Sequence, residues 1–487
     1  MKRVFGISLG FIVILFAILV YRAENLPSPY IDAPEVSGHD YDDNSIARHM
    51  SEAVQIRTIS WSPTAPTEGE AFLEFHNWLE KTYPAVHANI SKEVINNYSL
   101  LYKWQGKDPS LEPIALLGHM DVVPIEKGTE ATWDYPPFSG EIAEGFIWGR
   151  GSLDDKSTVV LLMEAMEKLV SKGFQPDRDI YIAYGHDEEI LGKNGAIKIV
   201  ETLQSRDIHL KWIMDEGFPI LEGFYNWMDK PTAIVGMAEK GFLTLELTAT
   251  DAGGHSSSPR PQTSVSRLAT AVSKVQNNQF PIDIGADGRT RLEAIAKDMP
   301  FLRRILIANL WLFAPVLEME FANNPFMAAQ FHTTTAATVF NAGQKENILP
   351  QEAKALINFR IHPRDNIDAI VERTRKTIDD ESITIAFHST PNNPPKSSDL
   401  NGEAYALIVE ALGESFGPIA ASPSLVIGAT DSRFYKDITD ETFRHTPVII
   451  TIEQFSGFHG TNERLGVEGL GNSVAFYDAL IRKGGAK

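Results

Sequence analysis

The 487-residue sequence contains no cysteine. That excludes disulfides, a thiolate nucleophile and sulfur-ligated zinc, and leaves His, Asp and Glu as the side chains able to hold a metal. Basic residues are also in short supply: 44 Lys and Arg stand against 64 Asp and Glu, a formal net charge of −20. A field of that sign repels phosphate backbones and argues against nucleic acid as a partner. No internal repeat or low-complexity tract is present, and 35 Gly with 28 Pro are too few for a collagen-like or wholly disordered chain. What remains is ordinary globular composition, 43% hydrophobic and 22% charged, in a chain long enough for two or three cores.

One long hydrophobic run occurs. Val4 to Val20 is uncharged and follows Lys2 and Arg3, which marks residues 1–23 as an export segment that directs the rest of the chain outward. Two outcomes stay open. Tyr21 is bulky at the minus-three position of a cut after Ala23, which favours retention as a membrane anchor over cleavage and secretion. Residues 24–41, rich in Pro, Ser and Asp, read as a linker.

From 42 to 237, strand-length apolar runs alternate with amphipathic stretches, the pattern of a βαβ architecture. Ile114–Leu117, Ile180–Tyr184 and Trp212–Met214 suit strands covered on both faces. Val159, Leu162, Met163, Met166, Leu169 and Val170 recur at helical spacing, and Gly173 supplies a stop. The texture changes near Lys240. Phe242–Thr250 and Ala353–Ile361 alternate like half-exposed antiparallel strands, so 238–395 reads as an inserted unit, with an unusually apolar extra segment at about 277–329. From 396 to 487 the βα texture returns, including a buried-strand candidate at Val448–Ile452. The fold class expected is therefore α/β, a catalytic unit with a mostly parallel sheet and helices on both faces, interrupted by an α+β lid.

In open α/β sheets, ligands sit outside the carboxyl ends of the strands. Four segments with ionisable residues fall there: Gly118-His119-Met120-Asp121, Asp154-Asp155-Lys156, Asp187-Glu188-Glu189 and Asp215-Glu216-Gly217. A fifth, Gly457-Phe458-His459-Gly460, follows the late strand. Imidazole and carboxylate without sulfur suit Zn, Mn or Co. Asp121, two residues from His119 along an extended segment, points to the same side and is placed to accept the second imidazole N–H and fix its tautomer.

In order and spacing these five segments resemble the dinuclear zinc aminoacylase and carboxypeptidase family, and within it the carboxypeptidase S and N-fatty-acyl-amino-acid hydrolase branch. The resemblance spans residues 42 to 485. It implies a zinc-peptidase-like catalytic domain and a ferredoxin-like lid. It also implies two divalent ions, zinc first, with cobalt or manganese as substitutes. His119, Asp154 and Asp215 are then the ligands of one ion, and Asp154, Glu189 and His459 those of the other, with Asp154 as bridge. Glu188 matches the general base, and the Asp154–Asp155 peptide is expected to be cis.

The same resemblance makes His255, in Gly253-Gly254-His255-Ser256-Ser257, the lid histidine that steadies the oxyanion; in dimeric relatives it comes from the partner chain. A homodimer is thus open, although an enlarged lid can supply the group within one chain. Asn347 and Arg360 match the residues that hold the substrate's amide and carboxylate, a guanidinium fork being complementary to a carboxylate. Gly428, Thr430, Asp431 and Arg433 match a loop beside the carboxylate site, and Asp431 and Arg433 can equally pair with each other. The implied reaction is hydrolysis of an amide next to a free carboxylate, in an N-acyl amino acid or a short peptide. A catalytically silent binding module and a two-metal phosphoesterase are the alternatives. The latter wants several phosphate-clamping cations, and near the motifs only Arg150 and Lys156 offer themselves.

Overall fold

A computed structural model of the chain describes residues 2–36, 38–223 and 227–487. Among these, a large mixed sheet runs in the order Ser91–Ile95, Ser99–Trp104, Ile180–Gly185, Ile114–His119, Ile213–Asp215, Thr442–Arg444, Thr232–Glu239, Ile220–Glu222, Ile449–Thr451. Ala420–Val426 also pairs with Thr232–Glu239, in parallel. The strands that carry the candidate residues are parallel neighbours: Ile114–His119 lies between Ile180–Gly185 and Ile213–Asp215. Their carboxyl ends therefore open at one edge of the molecule.

Both faces of this sheet are covered, which is why its central strands are apolar without alternation. On one face helix Lys156–Ser171 buries Val159, Leu162, Met163, Met166 and Leu169 together with residues of helices Asp43–Gln55, Glu403–Phe416 and Leu470–Gly484. Gly173, with φ of +75°, follows that helix. Helix Ala196–Ser205 covers the other face through Ile199, Val200 and Leu203. The late strand is shorter than the buried run expected over Val448–Ile452. It spans only Ile449–Thr451, pairs with a single neighbour at the sheet's edge, and leaves Ile449 and Ile452 exposed. An edge strand has one side open to water, so alternation replaces continuous burial.

Between the two stretches that build this sheet, the chain forms a four-stranded antiparallel sheet in the order Thr334–Ala342, Glu352–Ile361, Gly241–Thr250, Ile383–Phe387. Helices Ser264–Asn277 and Ile367–Ile378 contribute Leu268, Val275 and Ile370 to its core. The succession βαββαβ with this order is ferredoxin-like. The extra apolar segment folds into helices Gly285–Ile295, Phe301–Ala308, Leu310–Phe321 and Pro325–Ala329. Residues Lys2–Glu24 form a helix whose Leu19 and Ala23 are buried against Ile305 and Ala308, while Phe11, Ile14 and Phe16 are exposed. Among the described residues no helix is long and apolar enough to cross a membrane.

Candidate metal centre and active site

His119 closes its strand and is almost wholly buried. Its Nε2 lies 3.0 Å from Asp154 Oδ1, and His459 Nε2 lies 2.9 Å from Asp154 Oδ2. One carboxylate thus faces two imidazoles, one through each oxygen. His459 is also 3.2 Å from Glu189 Oε2. Ligating atoms of His119, Asp154 and Glu189 all fall within 4.8 Å of one another. Glu189 Oε1 is buried with no hydrogen-bond partner, as an oxygen directed at a cation would be. This nitrogen and oxygen donor set fits a divalent transition ion.

Asp215 is not a member of that 4.8 Å cluster. Its Oδ1 accepts from the Glu216 N–H and its Oδ2 from the Ser432 N–H, at 2.9 and 2.7 Å. Each oxygen keeps a further lone pair. The peptide between Asp154 and Asp155 is cis. Asp155 Oδ2 accepts from the His119 backbone N–H at 3.2 Å.

Asp121 is fully buried and does more than its spacing from His119 suggests. His119 Nδ1 lies 3.0 Å from the Asp121 carbonyl oxygen and 3.3 Å from Oδ1. The two carboxylate oxygens also accept from the backbone N–H groups of Glu188 and Glu189, each at 3.2 Å. One side chain therefore orients both the imidazole and the turn Glu188–Ile190. The opposite flank of that turn is held by Asp187, which accepts from Asn194 and Gly195.

Glu188 lies 3.3 Å from Arg433 Nη1. Burial raises its pKa above the usual glutamate range, and the Arg433 charge restrains the rise. Glu189 is pushed up to about 8, by burial first and then by the Asp154 charge. His459 is raised to about 10 by its hydrogen bonds to Asp154 and Glu189. Buried carboxylates that repel one another in this way are stabilised by added positive charge.

The alternative pairing of Asp431 with Arg433 is not what forms. Arg433 donates to Glu188 and to the Thr430 carbonyl, whereas both Asp431 oxygens are buried without a hydrogen-bond partner. Asp431 instead fills the space over Gly185, where a Cβ would sit 2.4 Å from Oδ2 and the Asp431 carboxylate would have to shift. Thr430 donates from N and Oγ1 to Glu239, and Gly428 is exposed. Arg360, on strand Glu352–Ile361, is half-buried over the Phe242 ring. Burial lowers its pKa, as does the neighbouring Arg433 charge.

The lid-tip residues lie apart from this group. His255 and Asn347 are both exposed, and Ser256 donates to the Asn347 carbonyl at 3.1 Å. The side-chain partner of His255 is the nearby Ser257 hydroxyl, at 2.7 Å.

Two buried acids escaped the sequence reading. Glu463, with no exposed side-chain surface, accepts from Arg150 at 2.6 Å through Oε2. Its Oε1 accepts from the backbone of Gly151, Leu153 and Asp154 at 2.9, 2.8 and 3.2 Å. It clasps the segment bearing Asp154 to the segment bearing His459. Glu239 takes Arg444 at 3.0 Å, both fully buried. The position of Glu463 four residues after His459 was the one available signal.

Residues 115–483 match Peptidase family M20/M25/M40, and the chain belongs to that family of metallopeptidases. Among curated relatives it is 38% identical over 447 residues to "Probable carboxypeptidase S-like 2" of Dictyostelium discoideum, covering 90% of this chain and 85% of the relative. It is 36% identical over 469 residues to the human "N-fatty-acyl-amino acid synthase/hydrolase PM20D1", covering 95% and 90%. Carboxypeptidase S of Saccharomyces cerevisiae is 29% identical over 493 residues, covering 90% and 84%. The M20 family metallo-carboxypeptidase Sso-CP2 of Sulfolobus solfataricus shares the fold with a TM-score of 0.66 at 16% identity, covering 90% of this chain and 98% of that one. The chain is thus a hydrolase of a family that uses divalent metal.

Proposed function

We propose that the protein hydrolyses an amide bond next to a free carboxylate, in an N-acyl amino acid or at the C-terminus of a short peptide, at a two-cation centre. The observation that carries this reading is the Asp154 carboxylate between the imidazoles of His119 and His459, with Glu189 in the same cluster and Glu188 alongside. The names of the relatives, carboxypeptidase S and N-fatty-acyl-amino acid synthase/hydrolase, support both substrate types. His119, Asp154 and Asp215 would hold one cation and Asp154, Glu189 and His459 the other, zinc being favoured over cobalt or manganese. Bound divalent cations supply Lewis acidity, which makes water a competent nucleophile near neutral pH and polarises the scissile carbonyl.

Glu188 takes the proton from the attacking water and returns it to the leaving nitrogen. A buried carboxylate with a raised pKa is a stronger base than a surface one, and the Arg433 charge limits that rise. Arg360, with Asn347 from the lid, orients the substrate's carboxylate and amide, and His255 steadies the oxyanion when the lid reaches the centre. The apolar run at residues 4–20 supports export of the chain.

Phosphate-ester hydrolysis is disfavoured because the two cations that flank the Asp154 segment are committed elsewhere. Arg150 pairs with Glu463, and Lys156 is fully buried, donating to the Ala53 and Ile56 carbonyls. Purified full-length protein should therefore turn over N-acyl amino acids or C-terminal dipeptides and leave phosphate esters untouched, with metal content measured alongside. Glu188→Gln should keep its metals and lose about 10²–10⁴ in kcat. Near-normal turnover by that variant would sink the assigned role, and inactivity of the parent protein on every amide would favour a silent binding module.

A further inference from the structure

A cavity of about 550 Å³ lies between the large sheet and the helices of the insertion. That size falls in the range of roughly 300–1,000 Å³ found for small-molecule sites. One wall belongs to the insertion: Leu292, Ile307, Phe321 and Phe331 each come from a different segment of it. The Phe321 and Phe331 rings stack at 5.1 Å. The facing wall includes Phe218 and Phe455.

Those two rings tie the cavity to the candidate centre. Phe218 follows Asp215 by three residues, and Phe455 precedes His459 by four. Their centroids are 6.3 Å apart, and Phe455 meets Phe458, the neighbour of His459, at 5.3 Å. The same two loops that carry expected ligands thus form one end of an apolar chamber. At another side of the lining, the half-exposed Arg303 and Glu320 pair at 2.9 Å. The guanidinium of Arg360 lies elsewhere, close to Arg433 and Glu239, so the carboxylate and apolar ends of a substrate would be drawn to different places.

We propose that this cavity is the subsite for the aliphatic acyl chain of the substrate. The chain enters over Phe455 and runs toward Phe321 and Phe331, and Leu292 and Ile307 set how long a chain fits. The space is far larger than one amino-acid side chain needs, and its walls offer an alkyl chain hydrocarbon contact along its length. This inference rests on the hydrolase reading above and adds to it the element that selects chain length.

The test is a series of N-acyl amino acids from acetyl to stearoyl on one amino acid, assayed with the full chain. Each added methylene should raise kcat/KM about fourfold, the effect of burying one methylene group, until the cavity is full. Leu292→Phe and Ile307→Phe should move the plateau to shorter chains and lower kcat/KM for the longest, relative to that for acetyl, by tenfold or more. Phe321→Leu should move it the other way, so the idea stays testable if a filled variant does not fold. Calorimetric binding of dodecanoate is measured in parallel, and Leu292→Phe should weaken it at least tenfold. A flat chain-length profile with intact acetyl turnover overturns the subsite and leaves the hydrolase reading standing, as do superimposable profiles for parent and variants. Absence of amide turnover, together with dodecanoate binding that Leu292→Phe weakens, supports the subsite and removes the hydrolase reading.

Discussion

The strand-end cluster and the lid tip are built on opposite plans. Around Asp154 nearly every group is held by another: Asp121 fixes His119 and the Glu188 turn, and Glu463 fixes the backbone of Asp154. His255 and Asn347, by contrast, are exposed, and the contacts they make stay within the lid tip. A rigid, crowded site suits residues that must keep a fixed geometry, whereas an exposed one suits residues that meet the centre only when the lid or a second copy brings them there. The difference teaches that the cluster around Asp154 is held in place by its own surroundings, while the lid tip is not held against it.

The sharpest way to break that contrast is to remove the lid histidine. His255→Ala should lower kcat by about 10²–10³ without changing metal content, since the exposed ring has Ser257 as its hydrogen-bond partner. Mixing it with Glu188→Gln then separates the two ways of completing the site. Recovered turnover in the mixture shows a histidine supplied by a second copy, and a mixture as slow as its components shows one supplied by closure of the same lid. Glu463→Gln addresses the crowded half. Loss of its charge beside Arg150 should weaken metal binding about 10- to 100-fold, read by metal titration and restored in part by excess zinc. Unchanged affinity would mean the clasp is merely structural.

The smallest effect concerns Lys156 under the cluster. Burial brings its pKa down to about 7, so between pH 7 and its unfolded value of about 10.4 the unfolded chain binds more protons than the folded one. Stability contributed by this residue therefore rises with pH across that window and is lowest below pH 7. Lys156→Met should flatten the slope in chemical denaturation at pH 7 and pH 9. An unaltered slope would show that Lys156 is charged in the folded protein.

Much of this architecture was legible because the candidate residues sit at the ends of short, wholly apolar strands. Ile114–His119, Ile180–Gly185 and Ile213–Asp215 announce themselves by composition, and parallel pairing then brings their ends together. The helix over Lys156–Ser171 followed from spacing alone. What could not be read depends on partners far apart in the chain. Glu463 finds Arg150 across 313 positions, and Arg444 finds Glu239 across 205, with no local pattern to link them. Arg433 likewise chooses Glu188 over the adjacent Asp431 because the fold, not the loop, decides which carboxylate it faces. Val448–Ile452 failed for a related reason: its composition is that of a central strand, while its place is the sheet's edge.

The docking of the N-terminal helix gives leader removal a structural cost. A cut after Ala23 would strip the cover from Ile305 and Ala308, take the Leu19 carbonyl from the Asn309 amide, and free the Ala308 carbonyl from Arg22. The wall formed by helix Phe301–Ala308 also contributes Ile307 to the cavity, so a cut at that terminus would reach the chamber beside the loops that bear Asp215 and His459.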